Sequence, residues 1–159
     1  MVHWDIGTDD STDAINSSFL CGNPILIADG DITSKGDRAK NLEKMLRDRL
    51  VLLGWKEIEN LLPESIVRSL ARKAFDSAHI DVDEIRRDDY SRSEAGLGAY
   101  LDEILGDDKF GTSSGTVRNK VPWCEKAIGI MESTDCSLPQ DVEELCHRIL
   151  TEVWNLNFA

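Results

Sequence analysis

The sequence predicts an α/β domain in which a small parallel sheet is followed by a mostly helical C-terminal part. Three observations carry this. Two short apolar runs, 25-ILIA-28 and 50-LVLL-53, suit buried strands. An amphipathic helix lies between them, and a crossover helix is the usual way to join parallel strands. Beyond residue 63 the apolar positions recur at helical spacing rather than in alternation.

Residues 1–22 are mixed and polar, with Asp5, Asp9, Asp10 and Asp13, and read as an arm or lead-in carrying a short helix at 11–20. Asn23-Pro24 is a turn signal. Residues 25–29 then read as a strand buried on both faces, as in parallel sheets. Thr33 to Gly36 is a loop, and Asp37 suits a helix N-cap. Leu42, Met45, Leu46 and Leu50 place an amphipathic helix at 38–49. Leu50 to Leu53 is the second strand, ended by Gly54. Residues 23–62 thus form the α/β core segment.

Residues 63–119 read as a helical insertion. Pro63 opens a helix with Ile66, Val67, Leu70, Ala71 and Ala74 on its apolar face. The charged stretch 81–95 is a short helix with a solvated loop. Leu97, Tyr100, Leu101, Ile104 and Leu105 mark the next helix. The loop 106-GDDKFGTSSGTVRN-119 holds three glycines and is the most flexible-looking part of the chain. Residues 120–159 are C-terminal helices. The first, to about Glu132, has Trp123, Ala127, Ile128 and Met131 in register. Ser137 and Gln140 form a capping-box pattern ahead of the last, which carries Val142, Leu145, Cys146, Ile149, Leu150, Val153 and Trp154 on one face. Trp55, Trp123 and Trp154 are assigned to the core, and Trp4 alone stands in a polar setting. Two parallel strands do not make a stable sheet by themselves. A third is expected, within the first residues or from outside this chain.

With 159 residues, 41% of them apolar and 30% charged, the chain is one globular domain in size. No apolar run approaches the roughly 18 residues of a membrane span, and MVHWDIGTDD lacks the basic start and apolar stretch of a signal peptide. A cytoplasmic protein without membrane contact is the expectation. Cys21, Cys124, Cys136 and Cys146 form no CxxC pair and read as reduced, mostly buried thiols. The adjacent Cys146 and His147 point about 100° apart on a helix and form no dyad. The net charge of −12 argues against a surface that grips nucleic acid by neutralising phosphates. It leaves room for a carboxylate site whose field is reversed by bound cations.

Such a site has a candidate in 25-ILIADGDITSKGD-37. A strand delivering Asp29-x-Asp31 would place both carboxylates on one face. Gly30 lets a ligand approach closely, and like charges this near each other call for a proton or a cation. Mg²⁺ or Mn²⁺ suits the oxygen environment, and ligands of open α/β sheets bind beyond the carboxyl ends of strands. Taken alone, Asp-Gly-Asp reads first as turn chemistry, since the pattern is common.

The segment 56-KEIENLL-62 adds weight. Together with ILIADGD it resembles the C-terminal half of a Toprim domain of the OLD (overcoming lysogenization defect) nuclease type, over residues 24–76 and again near Lys120. The resemblance implies a Toprim-like sheet and two-cation cleavage of phosphodiesters in DNA, within an assembly containing an ABC-type ATPase and with a role in phage defence. It implies Asp29, Asp31 and Glu59 as metal ligands, with Glu57 as the alternative to Glu59. It further implies Lys120 beside the attacked phosphate, with Arg118 and Lys126 as alternatives, and a homodimer of the full-length protein. One departure stands out: Toprim domains open on a strand bearing a glutamate, and residues 1–22 contain none. The expectation is that a longer protein or a docking partner supplies it. Two further readings compete: a non-catalytic interaction module of the same ancestry, and an acidic protein that imitates DNA.

Overall fold

The computed structural model describes residues 25–34, 36–74, 81–91 and 94–158. The lead-in 1–22, its short helix and any strand there lie outside the described residues. The chain divides into two compact units at the Leu52–Leu53 bond.

The first unit is a strand–helix–strand element. β1 (Leu26–Ala28) and β2 (Leu50–Leu52) pair in parallel, with Leu26 opposite Leu50, Ile27 opposite Val51 and Ala28 opposite Leu52. Among the described residues this sheet has two strands. Between them run a 3₁₀ turn (Gly30–Ser34), helix α1 (Arg38–Leu46) and a second 3₁₀ turn (Arg47–Arg49). Ala39, Leu42 and Leu46 of α1 pack with Ile32 and Leu50 into a small core, the i, i+3, i+7 stripe of an amphipathic helix.

Several details differ from expectation. Met45 is exposed and Ala39 takes its place in the stripe, because Met45 lies a quarter-turn off the buried line. Ile27 is 38% exposed, so β1 is not buried on both faces. Asp37 is the residue before α1, but its carboxylate makes no capping bond and lies 3.4 Å from Lys40 Nζ instead. The helix ends where Arg47 turns to a φ of 52°, a left-handed conformation that carries a steric cost for any residue with a Cβ.

The second unit is helical. A 3₁₀ turn (Ile58–Leu61) leads into α2 (Glu64–Ala74), followed by a 3₁₀ turn (Val82–Glu84), the single-turn α3 (Arg87–Tyr90), α4 (Leu97–Leu105), α5 (Lys120–Ser133) and α6 (Gln140–Phe158). The core gathers Ile66, Val67, Leu70 and Ala71 of α2, Leu97, Tyr100 and Leu101 of α4, and Trp123, Ala127 and Ile130 of α5. Each large side chain buried here stabilises the unit by about 1.5–3 kcal/mol. Phe110 meets Trp123 edge-on at 5.8 Å between centroids, a favoured aromatic geometry. Leu53, Leu61 and Val142 form a second, smaller cluster with Trp55 packed against it.

The charged stretch 81–91 is less solvated than its composition suggests. Val82, Ile85 and Tyr90 are fully buried, and the Arg68 guanidinium holds the Ile85 carbonyl at 2.9 Å. The glycine-rich loop closes into a small hairpin. Gly111 and Val117 form an antiparallel bridge, Thr112 N–H donates to Thr116 O at 2.9 Å, and the Asp102 carboxylate accepts from the N–H groups of Phe110 and Gly111, both at 2.7 Å. Glycine at 115 is obligatory: its φ is +80° and a Cβ there would lie 1.8 Å from the Ala95 carbonyl oxygen.

The C-terminal helices depart from the expected burial. On α5 the buried line is Trp123, Ala127 and Ile130, while Ile128 is 56% exposed. On α6 Val142 is buried, but Leu150, Val153 and Trp154 are exposed, so Trp154 is not a core residue. Val153 falls within about 20° of Val142 around the helix, so the exposure of the later turns of α6 follows from the helix running past the core and not from its register. Gln140 donates to Glu144 Oε1 at 2.9 Å instead of closing a capping box. Cys124 and Cys136 are half-buried and Cys146 is exposed, not mostly buried. No helix of the described residues is long and apolar enough to cross a membrane.

Candidate functional site

Asp29 and Asp31 belong to the first unit. β1 stops at Ala28, and Asp31 lies within the 3₁₀ turn, where Ile32 N–H donates to Asp29 O at 3.2 Å. The two-residue alternation that would put both carboxylates on one strand face therefore does not apply. The turn instead sets their directions, and both residues are half-buried.

Glu57, Glu59 and Lys120 belong to the second unit, and here the geometry is specific. Glu57 is extended (φ −143°, ψ 157°) and precedes the 3₁₀ turn that holds Glu59. That placement sends Ile58 outward, 52% exposed, and buries its neighbours, leaving Glu57 and Glu59 only 2% and 3% exposed. The chain thus inverts the ordinary partition, in which carboxylates face water and isoleucine the interior. Burying an ionised carboxylate is costly without a partner, and the partner is Lys120. Its Nζ donates to Glu57 Oε1 at 2.8 Å and to Glu59 Oε2 at 3.4 Å.

Lys120 is the first residue of α5, and its side chain is 40% exposed, so it enters the carboxylates from the solvent side. Burial works to lower its pKa, but the hydrogen bond it donates to Glu57 and the charge of Glu59 more than reverse this, and the net shift is upward. One ammonium faces two buried carboxylates, so with all three ionised the cluster carries one negative charge in excess. Glu57 Oε2 is buried without a hydrogen-bond partner. It lies by the amino end of α4: a Cβ on Gly96, the residue before that helix, would sit 3.3 Å from it. The helix dipole gives a carboxylate there partial support.

The surroundings hold this arrangement still. Lys56 Nζ donates to the carbonyls of Ala95, at 3.2 Å, and Ser114, at 3.0 Å, tying the glutamate segment to the hairpin and to the approach to α4. Asn60 is wholly buried and its Nδ2 donates to Tyr90 O at 2.6 Å. The Tyr90 hydroxyl donates to Leu62 O at 2.5 Å, and burial pushes its pKa above the ordinary phenol value. Arg118, an alternative to Lys120, is bound to the carbonyls of Asp108 and Gly111. On α5, Cys124 lies one turn beyond Lys120, and burial and then the charge of Glu59 raise its thiol pKa, with Lys120 opposing them.

Among the described residues no group of three or more histidine, cysteine, aspartate or glutamate side chains is gathered as a metal-holding set. The pair Glu57–Glu59 nevertheless fits a hard cation. It offers carboxylate oxygens, one of them buried without a partner, and an excess of negative charge. Mg²⁺ is commonly held by one or two carboxylates and completes its shell with water and substrate phosphate. Glu57, weighed below Glu59 on sequence, lies closer to Lys120. The extended Glu57 and the 3₁₀ turn that begins at Ile58 bring both carboxylates to the same ammonium.

Comparisons with protein-family models, with curated proteins and with solved structures find no match for this chain.

Proposed function

We propose that this chain carries the carboxylate site of a metal-dependent nuclease of Toprim type that hydrolyses phosphodiester bonds in DNA. The observation that carries this reading is the burial of Glu57 and Glu59 against a single, partly exposed Lys120. A fold gains nothing in stability from two buried carboxylates sharing one ammonium, since a well-packed apolar set is commonly as stable or more so.

In this reading Glu57 and Glu59 hold a divalent cation, Mg²⁺ or Mn²⁺; Asp29 and Asp31 are metal ligands on the sequence resemblance alone. A bound cation lowers the pKa of an attacking water and steadies the leaving oxygen. Lys120 neutralises charge that builds on the phosphate in the transition state. Its position on the solvent side of the carboxylates suits that task. An ABC-type ATPase as partner, a homodimer of the full-length protein and a role in phage defence complete the proposal and rest on the sequence resemblance.

The test is nicking of supercoiled plasmid by the purified chain with Mn²⁺, beside Glu57→Gln/Glu59→Gln and Asp29→Asn/Asp31→Asn variants. Cation-dependent nicking that the variants lose supports the reading. Nicking that both variants retain, or none by a folded wild-type chain, removes catalysis by these residues from this chain.

A further inference from the structure

We infer that Lys120 and a divalent cation are mutually exclusive occupants of the Glu57–Glu59 carboxylates, so that the lysine is a gate displaced by the cation. This rests on the reading above that the carboxylate pair takes a cation.

The argument begins with position. Lys120 Nζ touches an oxygen of each carboxylate, at 2.8 and 3.4 Å, and so sits where a bridging cation would. A hard cation takes its oxygens at roughly 2.0–2.2 Å. Seated on the same oxygens, it would face the ammonium at a few ångströms with like charge. One of the two must leave.

Mobility decides which. Glu57 and Glu59 are 3% exposed at their side chains and fixed by the segment that carries them, whereas the Lys120 side chain is 40% exposed. A lysine has a flexible four-carbon stem and can swing its head to water while the stem stays packed. Lys120 can therefore leave, and the carboxylates cannot follow it. Lys56 does not replace it, since that ammonium is engaged by the carbonyls of Ala95 and Ser114.

Charge gives the reason for exchange. The ammonium leaves the pair with one negative charge in excess and leaves Glu57 Oε2 buried without a partner. This unpartnered oxygen, on a side chain 2% exposed, goes beyond the mere presence of two carboxylates and points to a ligand. A divalent cation balances both carboxylates and can engage that oxygen. In the cation-free protein Lys120 keeps the buried pair from being wholly uncompensated. When the cation arrives, the lysine is released toward solvent, where an incoming phosphate would meet it. Cation binding and presentation of the ammonium become a single event.

The experiment is Mn²⁺ titration by calorimetry of the full chain and of Lys120→Met. Removing the competitor tightens Mn²⁺ binding by about tenfold or more, allowing for solvent screening of a partly exposed charge. Adding Glu57→Gln and Glu59→Gln to Lys120→Met abolishes that gain. Unchanged or weaker binding by Lys120→Met overturns the exclusion while leaving the cation site standing. A gain that survives the glutamine substitutions places the cation elsewhere and overturns it too. No binding by any protein overturns both the inference and the reading beneath it. A second measurement uses the wild-type chain and covers failure of Lys120→Met to fold. Acetylation of lysines, followed by mass spectrometry, speeds up several-fold at Lys120 under saturating Mn²⁺ and is unchanged at Lys56. Equal Lys120 reactivity with and without bound Mn²⁺ overturns the gate.

Discussion

Lys120 Nζ lies 2.8 Å from Glu57 Oε1, although the two residues are 63 positions apart. The contact pins the start of α5 to the extended segment before α2, and it is the main compensation for a carboxylate that is 2% exposed. Its loss therefore reaches stability as well as chemistry. Lys120→Met is expected to lower unfolding stability by about 1–2 kcal/mol, a figure already reduced because the lysine is partly exposed and screened. Combining it with Glu57→Gln should cost less than the sum of the two single changes, since the second removes a charge the first left stranded. Urea unfolding of the four proteins in this cycle measures the coupling, and simple additivity would contradict the pairing.

The raised pKa of Lys120 also sets a pH dependence. Its folded value lies above the unfolded one, so its contribution is fully present below the ordinary lysine value of 10.5 and is lost as pH rises through the folded value. Stability of the wild-type chain should fall at alkaline pH more steeply than that of Lys120→Met, as followed by chemical unfolding between neutral and strongly alkaline buffer.

Two glycines separate conformational strain from lack of space. Gly106 has a φ of +64° with nothing within 4 Å of a Cβ, whereas a Cβ on Gly115 would lie 1.8 Å from the Ala95 carbonyl oxygen. Gly106→Ala should cost about 1 kcal/mol, the left-handed penalty alone. Gly115→Ala should cost about 3 kcal/mol or more, because the hairpin must lift from the approach to α4. That lift also frees the Ser114 carbonyl from Lys56, so Gly115→Ala should disturb the glutamate segment from a distance. Thermal unfolding of the two variants ranks them.

What the sequence made legible follows from the range of each interaction. The strand–helix–strand order and α2, α4, α5 and α6 were readable because apolar spacing is a local signal. The face shared by Asp29 and Asp31 was not, because β1 ends one residue before Asp29 and a 3₁₀ turn takes over. The hairpin at 111–117 read as loose chain because its order comes from Asp102 and from contacts across α4, which no local window contains. The order of Glu57 and Glu59 about the lysine is hidden for the same reason. Both are buried, and which lies nearer the ammonium is set by Lys120, far along the chain.

The polar support beneath the site is testable without touching it. Tyr90→Phe removes the bond to Leu62 O and should cost about 1 kcal/mol. Asn60→Leu removes the donor to Tyr90 O inside a fully buried position and should cost about 1–3 kcal/mol. Neither residue touches the carboxylates through any bond described above, so a loss of Mn²⁺ binding in folded Tyr90→Phe would contradict the separation of support from site.

Cys124 reports on the cluster's charge in solution. Burial raises its thiol pKa first, Glu59 raises it further, and Lys120 lowers it. Alkylation by iodoacetamide proceeds through the thiolate, so its rate against pH should inflect above the ordinary value of 9.0. Glu59→Gln removes a negative charge and should move the inflection down. Lys120→Met removes the opposing positive charge and should move it up. Opposite movements would show that both groups are charged beside the thiol in the folded protein. An inflection indifferent to both would mean that burial alone sets the thiol, and that the charges on Glu59 and Lys120 do not reach it.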